Sequence, residues 1–148
     1  MTRMMIGAAL LVALGTGCSK NVDATQGTEP AASAAPAAAA GLAAVKFPEV
    51  AFSTAQADID KGKEVFTAKG CNGCHKIGGG KLVGPDLKGV TGRRDKQWLV
   101  KMIMRPELMT KEDATAKDLF KTYMTQMPNQ GVPEADLPAL LSYLKANE

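Results

Sequence analysis

Apolar positions sort this chain into three stretches. Met4–Leu14 is a short apolar run behind Arg3, followed by the small residues Gly15, Thr16 and Gly17. That layout predicts an export signal over residues 1–17, and the run is shorter than the about twenty residues needed to cross a bilayer. Residues 18–52 are rich in Ala, interrupted by Gly27, Pro30, Pro36 and Gly41, and poor in large side chains, which predicts a flexible tether. Helical spacing begins after Ser53. Ile59, Gly62 and Phe66 stand at i, i+3 and i+7, predicting a helix over 59–69 with Asp58 as its cap and Gly70 after its end. A bare glycine on that face costs helix stability, which points to the close approach of another element. A second helix is expected over 95–105, with Trp98, Met102 and Arg105 on one side and Pro106 ending it. A third, over 114–123, has Asp113 as cap and Leu119, Phe120 and Tyr123 as apolar contacts. The last is expected over 140–144, and either it starts at Asp136, leaving Pro138 in the tolerant first turn, or its first turn is distorted. Residues 53–148 therefore read as one all-α domain of about four to five helices.

Composition sharpens the picture at one point. The apolar supply of 53–148 is modest for a domain of that size, and small cores are marginal, so a buried apolar cofactor would complete it. Cys71-Asn72-Gly73-Cys74-His75 supplies the attachment chemistry. Two thiols three positions apart can each add across a vinyl group of haem, and the adjacent imidazole then ligates the iron, the C-x-x-C-H pattern of c-type haem. C-x-x-C also serves zinc sites and thiol–disulfide exchange. A structural zinc site needs four Cys or His ligands, whereas this chain has three Cys and one His in all, Cys18 among them. A redox dithiol belongs beside a βαβ pattern, and no Val- and Ile-rich runs flank Cys71.

In order along the chain, Gly62 and Phe66, Cys71–His75, Gly84-Pro85-Asp86-Leu87, Met127-Pro128, and Tyr143-Leu144 resemble a class I cytochrome c from Asp58 to Asn147. The resemblance implies an all-α fold around one covalent haem. It further implies that the Pro85 carbonyl accepts a hydrogen bond from the second ring nitrogen of His75, that Leu87 packs on the haem face, that Arg93 contacts a haem propionate, and that Tyr143 faces Gly62 and Phe66. Trp98 is expected in the core or at the haem edge, with an indole bond to a propionate as the alternative. The second axial ligand must come from another residue type, since there is no other His. Five Met follow the motif. Met102 and Met104 sit on the helix expected over 95–105, Met109 falls in a loop, and Met127 matches the family's Met-Pro pattern, with Met124 as rival.

The glycine run Gly78–Gly80 lacks a following P-loop Lys-Ser/Thr and reads as a loop at the haem edge. Leu14–Cys18 resembles a bacterial lipoprotein signal in which Cys18 is acylated, although Leu stands four places before the Cys instead of three. The alternative is an ordinary signal peptide and a soluble periplasmic protein. A net charge of +3 is too mild for nucleic acid, but Lys69, Lys76, Lys81 and Lys88 lie near the motif and suit docking on an acidic redox partner. The expectation is a monomeric one-electron carrier, lipid-anchored in the bacterial periplasm, passing electrons between respiratory donor and acceptor proteins. The alternatives are a haem enzyme or gas sensor with a labile sixth ligand, and a fixed donor subunit of an oxidase or reductase.

Overall fold

The computed structural model describes residues 41–148. Those residues form six α-helices and three short 3-10 turns, with no strand among them. In chain order the helices are α1 (Gln56–Ala68), α2 (Val90–Arg93), α3 (Lys96–Met104), α4 (Pro106–Glu112), α5 (Ala114–Tyr123) and α6 (Leu137–Ala146).

Of the two expected caps one forms: Asp113 accepts the Ala116 N–H at the start of α5. Asp95, which was not expected as a cap, accepts the Trp98 N–H at the start of α3. Asp58 does not cap α1. The helix starts earlier, from Ala55, so Asp58 lies in its first turn, where a carboxylate suits the helix dipole. Pro106 ends α3 as expected but also opens α4, because a proline at the first helical position gives up an N–H that would have no partner there. Met109, expected in a loop, is on α4 and only 1 % exposed. With α2, this raises the number of helices to six. At the other end, a 3-10 turn over Glu134–Asp136 leads into α6, and Pro138 falls in the first turn.

The largest helix–helix contact is α1 against α6. Gly62 makes it possible. A Cβ there would overlap the Ala139 carbonyl and lie 2.7 Å from Tyr143 Cβ, so the two backbones meet where α1 has no side chain. Phe66 and Tyr143 pack next to the crossing, with ring centroids 5.6 Å apart. α6 is apolar on most of its surface: Leu137, Leu140, Leu141 and Leu144 are all buried in the core with Val65, Leu99, Val100 and Ile103. Its buried Ser142 is satisfied twice, donating to the Pro138 carbonyl at 2.6 Å and accepting the Ser53 N–H at 2.8 Å.

That second bond belongs to a strap that changes the expected boundary of the folded body. Residues 41–52, assigned to the tether, run along the helices. Leu42 N–H donates to Glu112 on α4, Gln97 on α3 donates to the Pro48 carbonyl, Phe47 packs on the core, and Val50 is 4 % exposed within it. The apolar residues of 41–52 follow neither a helical nor a strand period, so nothing in their spacing predicts the packing of this strap.

Candidate functional site

α1 ends in a reversal that only glycine makes without strain: Gly70 is left-handed at φ 69°. The chain then tightens into a 3-10 turn over Cys71–Gly73, closed by Cys74 N–H and His75 N–H on the Cys71 carbonyl at 3.1 and 2.9 Å. Cys71, Cys74 and His75 are half-buried, neither cysteine is in a disulfide, and burial pushes the Cys71 thiol above its ordinary range. All three line a cavity of about 630 Å³. Its apolar wall comes from α1 (Phe66), α3 (Leu99, Ile103) and α6 (Leu140, Leu144).

The segment after the motif is pinned on both sides of His75. Gly84 N–H donates to the Cys74 carbonyl and Leu87 N–H to the Lys76 carbonyl, each at 2.8 Å. The turn between them presents the Pro85 carbonyl to His75 Nδ1 at 2.8 Å. A carbonyl can only accept, so Nδ1 carries the proton and Nε2 keeps its lone pair for a metal. Gly84 permits this packing, since a Cβ there would lie 2.6 Å from His75 Cε1.

Asp86 secures the same turn, a role that no spacing in the sequence announces. Its Oδ1 accepts the N–H groups of Gly78 and Lys88, both at 2.8 Å, and its Oδ2 accepts Gly80 N–H at 2.7 Å. The bonds from Lys88 and Gly78 chiefly, then those from Gly80 and the Arg93 charge, hold its carboxyl below the usual carboxylate range. Gly78, Gly79 and Gly80 all have positive φ, which lets their loop curl toward the carboxylate. A Gly-Gly-Gly run ahead of an aspartate was visible in the sequence, but which acceptor the loop would wrap was not.

Cys71, Cys74, His75, Pro85, Leu87, Arg93, Trp98 and Met127 all line the one cavity. Met124 does not: it caps α5 in a left-handed conformation at φ 51° and is 80 % exposed. Arg93, expected at a propionate, has protein partners, and so does the indole of Trp98, which packs against the core and lines the cavity as expected. Arg93 donates to the Lys88 and Asp86 carbonyls at 2.6 and 2.9 Å, bracing the Asp86 turn. The Trp98 indole donates to Asp113 at 3.0 Å, and Arg94 stacks over its ring at 5.3 Å. Lys81 and Lys88 also line the cavity, whereas Lys69 reaches across to the Gly131 carbonyl at 2.8 Å. Cys18 lies outside the described residues, and no helix among those residues is long and apolar enough to cross a membrane.

These residues fit the expected cofactor. The cavity has the size and apolar lining of a ligand site, two thiols stand on its wall, and one imidazole is held in the tautomer that ligates iron. The cationic side chains of Lys81, Lys88, Arg93 and Arg94 on the wall suit an anionic periphery.

The family profile described as "Cytochrome c" matches residues 59–148. Among solved structures, the chain is similar to cytochrome c from Rhodothermus marinus, with 26% identity and a TM-score of 0.62 over 69% of this chain and 86% of that one. It is also similar to the cytochrome c domain of the pp3183 protein from Pseudomonas putida, with 36% identity and a TM-score of 0.51 over 57% of this chain and 85% of that one. No curated protein sequence matches it.

Proposed function

From a chain that belongs to the cytochrome c family, and so carries a covalent c-type haem and serves haem-based electron transfer, we propose a monohaem one-electron carrier with His75 and Met127 as axial ligands. The observation that carries this reading is that Met127 shares a cavity with His75, Cys71 and Cys74 while its rival Met124 is 80 % exposed. The haem supplies a single electron to give or take at its iron. The protein's own groups do the rest. Cys71 and Cys74 anchor the macrocycle, and the Pro85 carbonyl fixes the ring of His75 through Nδ1. The Met127 thioether would ligate the iron together with His75 and would raise the reduction potential. The apolar wall excludes water.

The cationic rim, Lys81 and Lys88 with the exposed Lys76, is the surface on which an acidic redox partner docks, through the small electrostatic contact usual for transient electron transfer. The carrier works as a monomer in the bacterial periplasm. Cys18 is its acylated N-terminus and holds it on a membrane. Because residues 42–53 are bound to the folded body, the reach of that tether is measured from residue 41 rather than from residue 53. Mass spectrometry of the native protein tests the anchor, expecting diacylglycerol on Cys18; an unmodified N-terminus elsewhere removes it.

Paired substitutions test the ligand. Met127→Ala is expected to lose the Met–iron charge-transfer band, lower the reduction potential and begin to bind carbon monoxide, whereas Met124→Ala keeps the wild-type spectrum. The reverse result makes Met124 the ligand. Wild-type protein that binds carbon monoxide readily would replace the carrier with a haem enzyme or sensor.

A further inference from the structure

We propose that Asp86 is a positioning residue for His75: its carboxylate ties the glycine loop and Lys88 into a knot that holds the Pro85 carbonyl on His75 Nδ1. The inference rests on His75 being the iron ligand and goes beyond it by naming the group that sets the strength of its outer hydrogen bond.

Three features of the knot carry the argument. Asp86 immediately follows the residue whose carbonyl meets the imidazole. Its two oxygens accept three backbone N–H groups, from Gly78, Gly80 and Lys88, at 2.7 to 2.8 Å. Bonds of that length to a carboxylate are charge-assisted, and so stronger than those between neutral groups. Arg93 closes the turn from the other side by donating to the Asp86 and Lys88 carbonyls. The peptide carrying the Pro85 oxygen is thus bounded by Gly84 bound to Cys74, Leu87 bound to Lys76, and Asp86 bound to the glycine loop.

The consequence reaches the iron through the imidazole. A strong bond from Nδ1–H to a fixed carbonyl raises the basicity of the ring, and a more basic axial ligand favours ferric iron. If the knot is loosened, Pro85 is free to drift from His75, the ring becomes a weaker donor, and the reduction potential rises.

Removing a negative charge near the haem would also raise the potential, so the test must separate position from charge. Asp86→Asn and Asp86→Ala lose the same charge, but Asn keeps an oxygen that can accept Gly78 and Lys88. In the full-length holoprotein, NMR measures exchange of the His75 Nδ1 proton and voltammetry measures the potential. The expected order of exchange is wild type, then Asn, then Ala, with Ala faster than wild type by about tenfold or more, the scale of a lost charge-assisted bond. The potential should rise further in Ala than in Asn. Equal potentials in the two variants, or wild-type exchange in Ala, would reduce Asp86 to a charge or a loop staple and overturn the proposal. If Ala does not assemble, Asn decides alone: faster exchange than wild type supports the knot, and unchanged exchange overturns it. A missing Met–iron band in wild type would sink the Met127 ligand and leave this comparison intact.

Discussion

The three N–H groups on Asp86 bind its ionised carboxylate more strongly than the neutral acid, so its contribution to stability depends on pH. Its carboxyl is held below the ordinary value of 3.8, by the Lys88 and Gly78 bonds first. A group depressed in the folded state binds its proton more readily when unfolded, so its stabilisation is complete above the unfolded value and disappears as pH falls through the folded one. Thermal unfolding of wild type and Asp86→Asn should therefore differ by a constant margin from neutral pH down to the ordinary carboxylate range, then converge below it. A margin that stayed constant through the acid range would show that folding does not lower the Asp86 carboxyl. Gly84 acts at the same scale by omission, giving His75 the room that any side chain would fill.

Between elements, the crossing of α1 and α6 depends on one missing methyl group. Gly62→Ala gains helix propensity of about 1 kcal/mol. It also drives a Cβ into the Ala139 carbonyl and to 2.7 Å from Tyr143 Cβ, and neither helix backbone can yield without shifting the other. Overpacking of this kind typically costs about 1–3 kcal/mol, and contact with backbone places this case at the upper end. The net expectation is a holoprotein destabilised by about 1–2 kcal/mol in denaturant melts. A more stable variant would mean that the helices are farther apart than described. The strap works in the opposite sense, adding Val50 and Phe47 to the core from outside the helices. Its fixed points on α3, α4 and α6 make it part of the domain rather than a leader to it.

At the scale of the whole molecule, α1, α3 and α6 meet across the cofactor cavity as well as through direct contacts. A covalent haem held in that cavity would complete the core, in a domain whose size leaves little apolar surface to bury. Replacing Cys71 and Cys74 together by Ala should abolish covalent haem and, with it, cooperative thermal unfolding. Circular dichroism and calorimetry of the purified variant check this. A haem-free double variant that melts sharply would show that the helices pack adequately without the cofactor.

What could be read from the chain alone was whatever depends on neighbours in sequence. C-x-x-C-H states its chemistry within five residues, helical periods set the all-α class, and a local side-chain cap marked the start of α5. The cost of Gly62 in a helix pointed to a close crossing, which Ala139 and Tyr143 provide. Tertiary structure decided whatever depends on a partner far along the chain. It took Met124 out to solvent and Met127 into the cavity, because the left-handed turn at residue 124 ends α5 between them. It committed Arg93 to carbonyls and the Trp98 indole to Asp113, since the turn at 86–88 and the start of α5 lie within reach. It also drew the strap into the core, gave α4 its helix, and gathered three glycine-loop and turn amides onto Asp86. No period or local motif encodes such meetings; they exist only once α1 and α6 have crossed and the loops between them have been brought to one wall.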